Sequence, residues 1–173
     1  MIESSRLRLR DWIETDLPVM MQLRNDVELN QKLLSQVRGS DLAQVRSWIS
    51  EKTSGPSSIL FVIAEKSSNR ALGYLQFVNI QSAERSGDLG ICFSPQASGK
   101  GFGQEALNLA IEYFRQSKRL LKLSLRVSTD NLAAIHCYQK VGFQQIALLP
   151  HDISINGVWK DILLMEQIIG SGG

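Results

Sequence analysis

Thiols and imidazoles are scarce in this sequence, and their scarcity excludes chemistry at once. Cys92 and Cys137 stand far apart with no CxxC spacing, and His136 and His151 are the only histidines. Neither a disulfide framework nor a metal centre is therefore expected. Long apolar runs are also missing: residues 59–64 form one of the longest, against the ~20 residues of a membrane-spanning helix. The opening Met1-Ile2-Glu3-Ser4-Ser5 lacks the basic-then-apolar order of a secretory signal, so the cytoplasm is the expected location, with no membrane partner. Charge of one sign is lacking as well. The 19 Lys and Arg are scattered among 17 Asp and Glu, for a formal net charge of +2, without the clustered basic face of a nucleic-acid binder.

What remains is an ordinary globular composition, 43% hydrophobic and 21% charged over 173 residues, which fits one domain. The domain is expected over residues 1–170, with Ser171-Gly172-Gly173 as a flexible tail. Internal repeats and low-complexity stretches are not seen.

Periodicity places the elements. Leu7-Arg8-Leu9-Arg10 alternates as a half-buried strand does. Asp16 is placed to cap a first helix, with Pro18 in its first turn and Val19, Met20, Leu23 and Val27 on one face. A second helix should start near Ser40 or Asp41, carrying Leu42, Val45, Trp48 and Ile49. Three strands follow, over 59–65, 71–80 and 88–93, joined by short polar connectors that make neighbours antiparallel. Phe102, Ala106, Leu109, Ala110 and Tyr113 form the stripe of a strong helix. Leu121, Leu123, Leu125 and Val127 alternate with polar residues as a strand. Asp130 or Asn131 should cap a short helix ended by Gly142. Residues 144–149 and 161–169 read as closing strands around the turn dipeptide Asn156-Gly157. The order β-α-α-β-β-β-α-β-α-β-β predicts an α+β domain: a mixed, mostly antiparallel sheet with helices on both faces.

The stretch Pro95-Gln96-Ala97-Ser98-Gly99-Lys100-Gly101-Phe102-Gly103-Gln104 joins a strand to that strong helix. Glycines let successive N–H groups point into one concavity, the helix N-terminus adds its positive end, and Lys100 can add charge at the rim. A phosphate or pyrophosphate suits such a loop, the plain alternative being a flexible connector. Two rival motifs fail. Ser94 stands where the first glycine of a P-loop belongs, and Gly101 follows Lys100 in place of Ser or Thr. The dinucleotide fingerprint breaks at Gln104, after a meander and not a βαβ unit.

Gln96-x-x-Gly99-x-Gly101 resembles the Q/R-x-x-G-x-G/A signature of the GCN5-related N-acetyltransferase (GNAT) superfamily. Asp88-Leu89-Gly90-Ile91-Cys92-Phe93-Ser94-Pro95 is similar to the strand before that loop. Asn131-Leu132-Ala133-Ala134 with Tyr138-x-Lys140-x-Gly142-Phe143 resembles the second hallmark. The resemblance covers roughly residues 7–166. The ending Gly157-Val158-Trp159-Lys160-Asp161 looks like the branch with ribosomal-protein N-terminal acetyltransferases, and Arg24-Asn25 is similar to its amino-sugar acetyltransferases.

This resemblance implies an acyl-CoA N-acyltransferase-like fold and acetyl transfer from acetyl-CoA by direct attack, with no metal. Backbone groups of Ile91 and Phe93 would pair with pantetheine amides. Gln96 belongs to the signature. The N–H groups of Gly99, Lys100, Gly101, Phe102, Gly103 and Gln104 would take the pyrophosphate, and Asn131 the pantetheine arm. Tyr138 is the candidate general acid for the departing thiolate, its alternative being a packed helix-face aromatic. Asp88 is the candidate base, directly or through water, its alternative an exposed strand-end carboxylate. Trp12, Arg24 and Asn25 would wall the acceptor site, while Trp48 reads as core and Cys137 as packing. The acceptor would be a small-molecule amine such as an amino sugar, or a protein N-terminus, with a homodimer as an assembly option. A non-catalytic CoA-binding module is the alternative, and it would tolerate loss of Tyr138.

Overall fold

In the computed structural model the alternating stretch at Leu7–Arg10 is a strand, β2, with Leu7 and Leu9 buried and the arginines on the other face. The structure describes residues 2–35, 37 and 39–170, so the expected tail at 171–173 lies outside the described residues. A two-residue strand β1, Ile2–Glu3, precedes β2. Then come helices α1 (Leu17–Asn25), α2 (Val27–Lys32) and α3 (Leu42–Ser54), strands β3 (Ile59–Glu65), β4 (Ala71–Gln81) and β5 (Ser86–Phe93), and helix α4 (Phe102–Ser117). Strand β6 (Lys122–Ser128), helix α5 (Leu132–Lys140) and strands β7 (Gln144–Ile155) and β8 (Val158–Ile168) complete the chain. The eight strands form one sheet in the order β1-β2-β3-β4-β5-β6-β8-β7. All neighbours are antiparallel except β5 and β6. The α+β class and the mixed sheet are as expected.

Each face of the sheet carries a core. On one face the amphipathic α4 buries Ala106, Leu107, Ala110, Ile111 and Phe114, and Phe114 meets Phe77 of β4 edge-on at 4.7 Å. On the other, Leu17, Met20 and Leu23 of α1 and Val45 and Ile49 of α3 pack on Leu60, Val62 and Tyr74. Strand β3 lies between the two layers, which is why its sequence runs apolar without alternation.

Three expectations needed revision. Val27 does not continue the first helix. The chain turns extended at Asp26, whose carboxylate accepts the Leu29 N–H at 2.9 Å and caps α2, leaving Val27 exposed. The buried Asn30 then ties the helices together, donating to the carbonyls of Leu23 and Asp26 at 3.0 and 2.7 Å. The closing strands are also longer than 144–149 and 161–169. Asn156 and Gly157 both have positive φ, 50° and 80°, the signature of a two-residue turn that pairs Ile155 with Val158.

Asp16 precedes α1 as expected, but its side chain makes no cap bond. Both oxygens instead receive the guanidinium of Arg10, at 2.8 and 2.9 Å, and the Ile13 N–H adds a third bond at 2.8 Å. The side chains are 8% and 3% exposed. Removing one partner of such a pair strands a buried charge at a cost of about 3–5 kcal/mol. Arg10→Met should therefore lower the melting temperature by roughly 6–20 °C. A thermal unfolding scan showing a fall below ~2 °C would contradict this account of the pair.

Candidate active site

Strands β5 and β6 begin as parallel neighbours and then part. Ser86, Gly87 and Asp88 pair with Lys122, Leu123 and Ser124. Beyond that point residues 89–93 keep only β4 as partner, and residues 125–128 keep only β8. Each strand thus turns one unpaired edge into a wedge that opens toward the glycine loop. An extended, amide-bearing chain can add to such an edge as a further strand. The side chains of Ile91 and Phe93 pack on the α4 side.

The loop beside this wedge is built as the sequence predicts. Pro95–Ala97 form one 3-10 turn. Gly99 and Gly101 then take positive φ, 74° and 77°, and Gly101 caps α4. The first intrahelical bond of α4 runs from Glu105 N to Gly101 O, so the N–H groups of Phe102, Gly103 and Gln104 have no carbonyl behind them. Gly103 sits between Phe93 and Cys137: a Cβ there would lie 3.8 Å from the Phe93 ring and 3.5 Å from Cys137 Sγ. That contact brings α5 alongside the loop. Gln96 and Lys100 are exposed and line a cleft with Gln22 and Arg70.

A latch invisible in the local sequence holds this loop. Arg6 donates to the Lys100 carbonyl at 2.9 Å and to Glu105 Oε1 at 2.8 Å, and lies 4.6 Å over the Phe102 ring. Burial pushes the Glu105 carboxyl up, but the Ser4 hydroxyl and Arg6 outweigh it and hold it below its ordinary value.

On α5, Asn131 is the N-cap and accepts the Ala134 N–H at 3.4 Å. Tyr138 packs edge-on against Phe143, with ring centres 5.9 Å apart. Among the described residues its hydroxyl makes no hydrogen bond. Burial, with a lesser contribution from the neighbouring Cys137, pushes this phenol up to about 12. It therefore stays protonated across the working pH range. Burial also raises the thiols, Cys92 to about 12, so neither cysteine is a ready nucleophile. Asp88 sits where β5 and β6 part. It is exposed and accepts from Asn79 Nδ2 at 3.0 Å.

Across the sheet, on the α1 and α3 side, lies a cavity of about 600 Å³. Its floor carries Tyr74 and Gln76 of β4, and its walls Arg24, Trp48, Lys52 and residues 153–155 of β7. Trp48 meets Tyr74 edge-on at 5.3 Å, and the Arg24 guanidinium lies 4.4 Å over Trp48. The side-chain oxygen of Gln76, Oε1, is buried and has no hydrogen-bond partner among the described residues, an arrangement that favours a ligand N–H. Of the three residues expected to wall an acceptor site, Arg24 lines this cavity. Asn25 spends both ends of its amide on Ser40, at 2.8 and 2.9 Å, and Trp12 packs against the α1 and α3 core. Lys52, Tyr74 and Gln76 were not singled out by the sequence, because nothing in their local spacing separates them from ordinary helix and strand residues.

The model of the acetyltransferase (GNAT) domain family matches residues 6–144. The chain belongs to this family. As a GNAT domain it is 36% identical over 93 residues to the spermidine N(1)-acetyltransferase of Escherichia coli K12, covering 54% of this chain and 50% of that protein. It is 29% identical over 103 residues to the spermidine N(1)-acetyltransferase of Vibrio cholerae, covering 60% of each. The matched region thus spans about half to three-fifths of those curated relatives. A crystal structure of the spermidine N-acetyltransferase from Vibrio cholerae, in complex with CoA and spermine, has the same GNAT fold. Its TM-score is 0.87 at 24% identity, over 95% of this chain and 96% of that one.

Proposed function

We propose that this GNAT domain, spanning residues 1–170, is a cytoplasmic N-acetyltransferase that moves an acetyl group from acetyl-CoA onto the primary amine of a small molecule. One observation carries the reading: β5 and β6 part beside two left-handed glycines at the head of α4. The family membership and the amine-acetylating names of the relatives support it. Acetyl-CoA supplies an activated acetyl thioester. The residues fit it, since the free edge of β5 can pair with pantetheine amides near Ile91 and Phe93, and the N–H groups of residues 99–104 can take the pyrophosphate. Asn131 keeps its amide nitrogen for the pantetheine arm while its oxygen caps α5.

The acceptor nitrogen attacks the thioester carbonyl directly, forming the C–N bond as the C–S bond breaks. Tyr138 donates its proton to the sulfur, and Asp88 takes the amine proton, directly or through water. Positioning both substrates in one opening supplies much of the acceleration. An amino sugar suits the amide and hydroxyl groups lining the cavity, and a protein N-terminus would enter by the same route.

A saturating ligand that binds only the folded state at 100 times its dissociation constant adds about 2.7 kcal/mol of stability. Acetyl-CoA at that excess should raise the melting temperature by roughly 5–10 °C, and NAD and ATP much less. Calorimetry showing tighter binding of NAD than of acetyl-CoA would overturn the assignment. Release of free CoA in the presence of a panel of amines tests transfer itself. Acetyl-CoA binding with no transfer to any amine would favour the non-catalytic module.

A further inference from the structure

We infer that the acceptor amine also carries an anionic group, a carboxylate or a phosphate, and is not a polyamine. The inference rests on the acetyltransferase reading only in taking the 600 Å³ cavity as the acceptor site. Among the described residues, the charged ones lining that cavity are Arg24 and Lys52, both cationic, and no Asp or Glu lines it. Arg24 is held in the wall, stacked on Trp48 and donating to Ser40 Oγ at 3.4 Å. Lys52 occupies the last turn of α3, and no carboxylate pairs with it among the described residues.

Asp26 and Asp88 lie outside this lining, Asp26 at the cap of α2 and Asp88 where β5 and β6 part. A second ammonium of a polyamine would therefore lie among two cations, with no carboxylate lining the cavity among the described residues. A carboxylate or phosphate would meet the Lys52 ammonium beside the cationic Arg24. Gln76 Oε1 on the floor, without a partner among the described residues, suits the other end of the same molecule, the amine N–H. The two cations bring a chemical gain as well. Positive neighbours disfavour the ammonium form, so more of the acceptor is present as the neutral amine that attacks.

The test is calorimetry on the CoA-saturated chain with paired probes: glucosamine 6-phosphate against glucosamine, 6-aminohexanoate against hexylamine, and spermidine. At least one anionic member should bind ~10-fold or more tightly than its neutral counterpart and than spermidine. The phosphate and carboxylate pairs show which anion the cavity takes. Lys52→Glu should bring the preferred pair to within ~3-fold and improve spermidine binding, and Lys52→Met should give an intermediate preference. Lys52 is half-buried at a helix end, and circular dichroism confirms that each variant is folded. Anionic probes that bind no more tightly than neutral ones, or do not bind, overturn the inference. So does a preference that survives Lys52→Glu. Free CoA release from acetyl-CoA with the same probes separates the two readings: a charge preference with no transfer to any amine removes the enzyme and leaves the anion-selective cavity.

Discussion

Tyr138→Phe is expected to lower acetyl transfer by about 100-fold or more, the scale of a lost positioned acid, while acetyl-CoA affinity stays within ~2-fold. The substitution removes one oxygen and keeps the ring, so the edge contact with Phe143 survives. Among the described residues that oxygen bonds to nothing, so no protein partner is left unsatisfied. Burial pushes the phenol up to about 12. Sign matters here: a raised value keeps the proton on through neutral and mildly alkaline pH, so the donor is present wherever the acceptor amine is neutral. Wild-type turnover should accordingly show no loss between pH 8 and about 10 from ionisation of this group. Turnover with an identified amine, measured beside acetyl-CoA affinity, checks both parts. Unchanged turnover with chemistry rate-limiting would make Tyr138 a packing residue.

Much of this architecture was legible because local rules and tertiary packing agree. Strand β2 alternates, α4 carries a clear stripe, and Asn156-Gly157 dictates a tight turn whatever surrounds it. The errors came where a local rule pointed two ways. Val27 falls on the helical face set by Met20 and Leu23, yet Asp26 offers a better start for a new helix than a continuation of the old one. Strand β7 passes through Pro150, one residue beyond its expected end at Leu149. Pro150 lies on the edge strand, in the register shift between Leu149 and Ile153, where a missing N–H is tolerated, so the strand continues to Ile155.

The candidate site divides in the same way. Gly99, Gly101 and Tyr138 could be singled out because backbone sign and helix position are local properties. The latch of Arg6 on Glu105 closes across 99 residues. The cavity joins α3, β4 and β7, so the charge at Lys52 acquires meaning only once the fold has brought it into the same cavity as Gln76.

Gly101→Val should weaken acetyl-CoA binding by roughly 10–100-fold, or about 1.4–2.8 kcal/mol, at only modest cost to the fold. The protein itself leaves room for the side chain: the nearest atom to a Cβ there is Arg6 Nη2, at an ordinary 3.5 Å. The penalty lies in the backbone. Gly101 has φ of 77°, a conformation that costs a residue with a Cβ about 1–2 kcal/mol and a β-branched one more readily still. Two consequences follow, and both act on the ligand. If the residue keeps its conformation, its methyl groups occupy the approach of a phosphate to the head of α4. If it relaxes to negative φ, the N–H groups of residues 101–104 no longer converge, and the bond from Arg6 to the Lys100 carbonyl is disturbed with them. Unliganded Gly101→Val should melt roughly 2–8 °C lower than the parent. Calorimetry with acetyl-CoA decides the matter. Affinity within ~2-fold of the parent would place the pyrophosphate away from this loop and remove the main support for reading the wedge between β5 and β6 as the acetyl-CoA site.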